Sequence, residues 1–456
     1  MGILKDNRHL EEADKKYIWH PFTQMKDWLS ETPIIISEGR DCFLKDIYGR
    51  WYLDGVSSLW VNIHGHRKKE LNDAIKEQVE KIAHTTLLGL SNVPAIKLAE
   101  RLIRVVDAGL GTGLSKVFYS DNGSTAIEVA LKMAFQYWKH KGIRGKHSFL
   151  SLKNAYHGDT LGAVSVGGID IFHEEFKPLL FKTFKATSPY CYRCEFELAY
   201  PGCKLRCLKA MEEILKRHSK NIAGLIIEPM VQSAGGIIVL PHGYLKGVKK
   251  LCTKYKVLML ADEVATGFGR TGKFFACENE RVSPDIICLS KGITGGYLPL
   301  AVTVATEKIF NAFLGEYKEL KTFFHGHSYT GNPIACAVAL ACLEVFEKEK
   351  TIKNLKPKIE VLEGWLKSIS LFKHVGDARG KGLMAGVELV KDKGTKEPYA
   401  IEEKIGWKVA WSSREKGVLI RPLGNVIVIM PPLSISLENL REMLNIIEDS
   451  IASVTD

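Results

Sequence analysis

The sequence predicts an α/β protein in which helices flank a large, mainly parallel sheet. Two apolar runs typical of buried strands lie at residues 257–261 and 286–289. The first is followed by Asp262, and the second is followed two residues later by Lys291. Because reactive groups collect at the carboxyl ends of neighbouring parallel strands, we expect Asp262 and Lys291 to face the same crevice.

The composition is that of an ordinary soluble globular protein, with 46% hydrophobic and 25% charged residues. The formal net charge of +11 could serve an anionic partner, but the basic residues are interspersed with acids. A solvated surface is therefore the favoured interpretation, and we expect no nucleic-acid partner. A basic balance also favours anionic cofactors and carboxylate substrates entering a cleft.

The beginning of the chain is charged and lacks the apolar core of a signal peptide. No apolar stretch approaches the roughly 18 residues that a membrane span requires. We therefore expect a cytoplasmic protein with no membrane partner and with reduced thiols among its ten cysteines.

A carboxylate and a lysine at adjacent strand ends suit the chemistry of pyridoxal phosphate. The lysine can bind the cofactor's aldehyde covalently, and the acid can keep the pyridine nitrogen protonated so that the ring accepts electrons. On spacing alone, a strand-end ion pair that merely neutralises itself is an equally good interpretation of Asp262 and Lys291.

The residues around this pair resemble a known family. The motifs Asp-Glu-Val at 262–264, Gly-Phe-Gly-Arg-Thr-Gly at 267–272 and Ser-Lys-Gly at 290–292 resemble the class III pyridoxal-phosphate aminotransferases of fold type I. The resemblance extends over nearly the whole chain. It implies that Lys291 is the catalytic lysine that binds pyridoxal 5'-phosphate and that Asp262 is the partner of the pyridine nitrogen.

Further residues are assigned to the cofactor. A strand pattern leads into Gly123 and Ser124 at the start of a predicted helix, where backbone N–H groups and the helix dipole can meet an anion. A plain N-cap by Ser124 would look the same, but beside Lys291 the pattern predicts the phosphate site. The resemblance places Val264 on one face of the ring and Tyr156 on the other, with Tyr156 also reaching the substrate; a buried aromatic beside a turn is the alternative for Tyr156.

One position departs from the family pattern. Many relatives have glutamine where this chain has Ala265, and that glutamine contacts the cofactor's ring oxygen. The sequence leaves this contact unassigned.

Two aromatic-rich stretches, at residues 19–25 and 57–66, resemble the 7,8-diaminopelargonate synthases of biotin biosynthesis. Those enzymes are aminotransferases that act on 8-amino-7-oxononanoate. The resemblance implies that Phe22, Leu59 and Trp60 face the substrate, although dense aromatics near the start of a chain more often serve packing.

The resemblance also predicts a homodimer with shared active sites. In the family, the segment 322–333 crosses the dimer interface, and Ser328, where threonine is more usual, binds the phosphate of the partner's cofactor. Gly326 is assigned to the substrate and His327 to the cofactor.

Arg421 closes an apolar stretch, and its planar guanidinium suits bidentate binding of a carboxylate. The family match makes it the clamp on the carboxylate of the keto-acid substrate. A surface ion pair is the alternative role.

Four cysteines at residues 191, 194, 203 and 207 form a C-x2-C…C-x3-C pattern. They could bind zinc, but the x3 spacing is unusual for a zinc ribbon. Free thiols in an ordered insertion, or an adventitious disulfide, are favoured, and we predict no metal site.

Taken with the family, the sequence predicts a type I fold with an N-terminal arm at residues 1–64, a large cofactor-binding domain at 65–330 and a C-terminal domain at 331–456. The arm is expected to be extended apart from a hairpin at 43–54, and both chain ends form the small α/β domain.

The predicted function is transamination of 8-amino-7-oxononanoate to 7,8-diaminononanoate, with S-adenosylmethionine or lysine as the amino donor. Phe22 and Leu59 stand where users of S-adenosylmethionine have tyrosine and tryptophan, which slightly favours lysine. One rival function is a class III aminotransferase for an ω-amino acid. The other is a non-enzymatic binding protein with the four cysteines as a zinc module.

Overall fold

The computed structural model describes residues 2–111 and 113–455, so Met1, Thr112 and Asp456 of the predicted domains lie outside it. The strands, numbered in chain order, are β1 (Ile36–Arg40), β2 (Phe43–Asp46), β3 (Trp51–Asp54), β4 (Leu114–Ser120), β5 (Ser148–Leu152), β6 (Phe184–Ala186), β7 (Ile222–Ile227), β8 (Val231–Gln232), β9 (Ile238–Val239), β10 (Leu258–Asp262), β11 (Ile286–Leu289), β12 (Ala301–Thr306), β13 (Val375–Lys381), β14 (Met384–Asp392), β15 (Glu397–Pro398), β16 (Val418–Leu419) and β17 (Val426–Ile429).

The α-helices lie between and around these strands. Their bounds are Gly2–Tyr17, Met25–Ser30, Lys69–Lys81, Val93–Leu110, Gly123–His140, Leu161–Val166, Asp170–His173, Arg206–His218, Tyr244–Lys254, Glu307–Phe310, Pro333–Lys348, Lys356–Ile369, Ile405–Glu415 and Leu437–Thr455. Across the described ranges, none of the helices combines the length and the apolar character needed to cross a bilayer.

Seven strands form the central sheet, in the order β4-β12-β11-β10-β7-β5-β6. Strand β12 runs antiparallel to both of its neighbours, whereas all the other adjacent pairs are parallel. Every residue of β7, β10 and β11 is buried, as expected for parallel strands covered on both faces. The predicted α/β fold with a mainly parallel sheet is confirmed.

Both ends of the chain build the smaller sheets. Strands β1, β2 and β3 form an antiparallel ribbon, and β16, from the C-terminal part, pairs with β3 in parallel. A second sheet joins β13, β14 and β15, with β17 also paired to β14. The hairpin expected at residues 43–54 is present as β2 and β3. The domain boundaries at 64 and 330 stay predictions.

The expectation of an extended N-terminal arm is wrong, because residues Gly2–Tyr17 and Met25–Ser30 are helical. The first helix contains three lysines, two leucines and two glutamates, which favour helices, and it packs onto the hairpin. The Asn7 amide donates to the carbonyl of Ile47 over 2.9 Å, and the Tyr48 hydroxyl donates to Glu11 over 2.6 Å. Tertiary contacts of this kind stabilise a helix that lacks a continuous apolar pattern.

Candidate active site

A cavity of about 390 Å³ opens at the carboxyl ends of β7, β10 and β11. It contains most of the side chains that the sequence assigned to a cofactor. The predicted residues that line it are Trp60, Gly123, Ser124, Tyr156, Asp262, Val264 and Lys291. The crevice inferred from strand ends is therefore real, and the chain brings these residues together although they span more than half of the sequence.

Lys291 lies two residues after the end of β11 in a left-handed backbone conformation, with φ of 49°. Strain of this kind is concentrated at functional sites. Its Nζ lies 4.7 Å from the centroid of the Trp60 ring. Burial lowers the pKa of the Lys291 amine to about 8, against the opposing charges of Asp262 and Glu228. A larger fraction of free amine, the nucleophilic form, is therefore present near neutral pH than in an ordinary lysine.

Asp262 ends β10 and is buried, with two hydrogen-bond donors in the structure. Nδ1 of His157 lies 2.6 Å from its Oδ2, and the Val264 N–H donates to its Oδ1 over 3.1 Å. Because an ionised carboxylate only accepts, Nδ1 of His157 carries the proton in this bond. The sequence assigned no role to His157. The only signal was its place in the Tyr-His-Gly turn next to Tyr156.

Glu228 is a second acid in the cavity that the sequence noticed at a strand end but gave no function. It follows β7 and accepts hydrogen bonds from the backbone N–H groups of Tyr156, over 3.2 Å, and Ser233, over 2.8 Å. Burial, and then the charge of Asp262, raise the pKa of Glu228 to about 8. This carboxyl is therefore mostly protonated at neutral pH.

The helix Gly123–His140 begins at the cavity. Its N-cap is Asn122 and not Ser124, since the Asn122 side chain accepts from the Thr125 N–H over 3.1 Å. The Ser124 hydroxyl instead accepts from the Asp159 N–H over 3.1 Å. A Cβ on residue 123 would lie 2.6 Å from Cγ1 of Val264, so only glycine fits there. The positive end of this 18-residue helix suits a phosphate group.

A series of contacts links Tyr156, which lines the cavity, to Phe22 and Arg421, which are not among its lining residues. The Tyr156 hydroxyl donates to Asp159 over 2.7 Å, and the Tyr156 ring lies 6.3 Å from the Phe172 ring. Phe172 in turn packs edge-on against Phe22 at 5.3 Å. Nη2 of Arg421 donates to the carbonyl oxygen of Phe22 over 3.0 Å. Phe172, to which the sequence assigned no role, thus lies between Tyr156 and Phe22.

Residues 57–60 form one turn of left-handed backbone, with φ between 49° and 70° at all four positions. Left-handed turns are unfavourable for residues other than glycine, so the surroundings must impose this one. It buries the Trp60 ring beside Lys291 and leaves Leu59 54% exposed. Leu59 is therefore at the solvent side of the predicted substrate region, apart from the cavity wall.

Arg421 has lost part of its hydration, and this burial lowers its pKa. Within residues 2–111 and 113–455, its recorded hydrogen bond is the one to Phe22, and no carboxylate pairs with its guanidinium. A cation without an acidic partner can bind a carboxylate from outside the chain. Among the described residues, Arg421 therefore does not form the surface ion pair that was its alternative role.

The loop at residues 326–328 is not on the cavity wall of its own chain. Gly326 and Ser328 are exposed, and His327 approaches the cavity through Asp121, with Nε2 3.5 Å from Oδ2. The predicted roles of these three residues in a partner's site stay predictions.

The four clustered cysteines line one small cavity of about 20 Å³. All are free thiols in the structure, and burial raises the pKa of the Cys207 thiol to about 11. Among the described residues, no three histidine, cysteine, aspartate or glutamate side chains are arranged as a metal site.

Residues 25–451 match the family model described as aminotransferase class III. The chain belongs to the class III aminotransferases. Its cofactor is pyridoxal phosphate, and the fold is that of the type I enzymes, as the sequence predicted.

Known relatives are similar over almost their whole length. An adenosylmethionine-8-amino-7-oxononanoate aminotransferase of Geobacter sulfurreducens is 53% identical over 99% of each chain. The crystal structure of the protein with this name from Methanocaldococcus jannaschii has a TM-score of 0.93 and 47% identity, covering 98% of this chain and 100% of that one. An amine transaminase from an uncultivated Pseudomonas species, in its pyridoxal-phosphate-bound form, has a TM-score of 0.91 and 36% identity over 96% and 99% of the two chains.

Proposed function

We propose that this aminotransferase transfers an amino group from S-adenosylmethionine to 8-amino-7-oxononanoate, giving the 7,8-diamino acid of biotin biosynthesis. The observation that carries the keto-acid assignment is the position of Arg421. In the part of the chain that the structure describes, its guanidinium pairs with no acid; it contacts Phe22, which Phe172 connects to Tyr156 of the cavity. A free cation at this distance from Lys291 suits a clamp for a distant carboxylate. Relatives that share about half of their residues with this chain bear the matching name.

The residues of the cavity fit the cofactor. When bound, pyridoxal phosphate supplies an aldehyde that takes up an amino group and a ring that takes up electrons. Gly123 and Ser124 at the helix start would hold its phosphate, and Val264 and Tyr156 would enclose its ring. Asp262, kept in place by His157, would hold the proton of the ring nitrogen.

Lys291 is the proposed proton carrier. Its Nζ would hold the cofactor's aldehyde, and the free amine, near the substrate carbon, can take a proton from that carbon and later give it up. The lowered pKa of Lys291 suits both roles, because the amine must be unprotonated to act as a base near neutral pH.

S-adenosylmethionine is the donor that the comparisons favour. The slight preference for lysine rested on Phe22 and Leu59, and the structure leaves both half or more exposed, at 55% and 54%. Side chains so open to solvent can change without changing the donor. The curated relatives at 50–53% identity are named for adenosylmethionine.

A single-turnover experiment tests this proposal. Protein loaded with cofactor is mixed with S-adenosylmethionine, lysine or an ω-amino acid, and the change in visible absorbance reports loss of the aldehyde form. Addition of 8-amino-7-oxononanoate should then restore the original spectrum. If only lysine converts the protein, lysine is the donor and the assignment of the keto acid is unaffected. If the keto acid does not restore the spectrum after any donor, the proposed function is refuted.

We further propose that the protein works as a homodimer with shared sites in the cytoplasm. The exposure of Ser328, away from its own cavity, supports a role in a second subunit, as do exposed apolar neighbours such as Phe324 and Leu88. Mixing Lys291→Ala chains with Ser328→Asp chains should restore activity that neither variant has alone, since each mixed dimer contains one native site. A fully active monomer at low concentration would contradict shared sites.

A further inference from the structure

A buried arginine from the C-terminal part of the chain contacts a loop that reaches the active site. Arg379 lies on β13, and its side chain is only 9% exposed. Two acids hold one edge of its guanidinium, with Nη1 2.8 Å from Oδ2 of Asp377 and 2.8 Å from Oε2 of Glu388. The charge of Arg379 is therefore neutralised within the protein, and its direction is fixed.

The other edge of the same guanidinium holds the loop between β8 and β9, the two strands of a small separate sheet. Nε donates to the carbonyl oxygens of Gly236, over 3.1 Å, and Ile237, over 3.0 Å, and Nη2 donates to Gly236 over 2.6 Å. The N–H groups of Gly236 and Ile237 donate in turn to the Ser233 carbonyl over 3.2 and 2.9 Å. Arg379 thereby fixes the loop at residues 233–237.

This loop ends at the cavity. The Ser233 N–H donates to Oε2 of Glu228 over 2.8 Å, and both residues line the cavity with Asp262 and Lys291. The hydrogen bond from Ser233 favours the charged form of Glu228 and opposes the effect of burial on its pKa. The charged groups that face Glu228 are Asp262 and Lys291, and Arg270 acts on Lys291.

We propose that Arg379 is a positioning residue for transamination, which fixes the loop at residues 233–237 and through it the orientation of the Glu228 carboxyl beside Asp262 and Lys291. Hydrogen bonds connect Arg379 to Glu228 in three steps. The guanidinium donates to the carbonyls of Gly236 and Ile237, the N–H groups of these residues donate to the Ser233 carbonyl, and the Ser233 N–H donates to the Glu228 carboxyl. A fork with five donors can make all of these contacts at once, which a single ammonium cannot. This proposal depends on pyridoxal phosphate as the cofactor, but it does not depend on which keto acid is the substrate.

Arg193 offers a matched control. Its Nε pairs with Oε1 of Glu388 over 2.5 Å, so it shares an acid with Arg379. Among the described residues it makes no recorded contact with the loop at 233–237. Arg193→Gln therefore removes one cation from Glu388 without touching the route to the cavity, whereas Arg379→Gln breaks that route.

The experiment uses cofactor-loaded protein and two measurements on each variant. The first is the pH midpoint of the visible absorbance without substrate, and the second is kcat and KM for the amino donor. Without the hydrogen bond from Ser233, a larger fraction of Glu228 is protonated and uncharged. The Lys291 nitrogen then has less negative charge beside it, so it loses its proton at a lower pH. For Arg379→Gln we expect the midpoint to fall by about half a pH unit or more and kcat to fall on the order of 10- to 100-fold, with a smaller change in KM.

Arg193→Gln should keep the parent midpoint and kcat, and Arg379→Lys should recover part of both. If Arg379→Gln does not fold, Gly236→Ala strains the same loop at a φ of 107° and should shift the midpoint in the same direction. A parent-like midpoint in a folded Arg379→Gln or Gly236→Ala protein would overturn the proposal, even if that protein were less stable. Failure of the proposed keto acid to react would leave these spectral results unaffected.

Discussion

Removal of the His157 side chain tests how strongly the active site depends on the orientation of Asp262. Both residues are buried, at 3% and 4% exposure, and Nδ1 of His157 lies 2.6 Å from Oδ2 of Asp262. A hydrogen bond to a charged acceptor contributes about 1.5–3 kcal/mol. If this energy is lost in the transition state, the rate falls roughly 10- to 150-fold.

The assay is the rate of absorbance change when an excess of amino donor is mixed with cofactor-loaded protein. His157→Leu removes the donor at similar bulk and should show the full loss. His157→Asn keeps an N–H donor near the position of Nδ1 and should recover most of the rate. The Val264 N–H still donates to Asp262 in both variants. The carboxylate is therefore held less firmly but keeps one hydrogen-bond donor.

The reasoning is refuted if cofactor-loaded His157→Leu reacts within about twofold of the parent rate. That result would mean that the strand end alone holds Asp262 in place. An equal loss in His157→Leu and His157→Asn would instead point to the packing of the ring, because only one of the two variants lacks the donor.

Three further predictions concern single side chains. Lys291→Ala should keep the parent circular dichroism but lose amino transfer, and borohydride should no longer attach the cofactor's mass to the chain; near-parent turnover would show that Lys291 has been wrongly assigned. Arg421→Ala should weaken keto-acid binding by about 2–5 kcal/mol while the donor half-reaction suffers less, and equal damage to both halves would assign Arg421 to structure or to both substrates. Because the pKa of Glu228 is raised from 4.5 to about 8, the folded protein keeps a proton that the unfolded chain releases between these values, so unfolding free energy should fall with rising pH by up to about 1.4 kcal/mol per unit. Urea unfolding of the cofactor-free protein at pH 6 and pH 8 should show this slope reduced in Glu228→Gln, and an unchanged slope would contradict the burial argument.

The sequence by itself was sufficient for the fold class and for the central pair of the site. Strand β10 is apolar up to its last residue, Asp262, and β11 is wholly apolar, so the positions of both strands can be inferred from local pattern. Since parallel strands end at one edge of a sheet, the meeting of Asp262 and Lys291 follows from two such runs. The family motifs then supplied the cofactor, which spacing alone left open against an ion pair.

The tertiary structure decided the features that depend on burial and on contacts between distant parts of the chain. His157 and Asp262 are 105 positions apart, and the Arg379 contact to Gly236 joins residues 143 positions apart. No local pattern encodes such pairs. The N-terminal helix was missed for the same reason, since its contacts with the hairpin come from residues about 40 positions away. The raised pKa of Glu228 arises only once folding removes water from its carboxyl and brings Asp262 beside it.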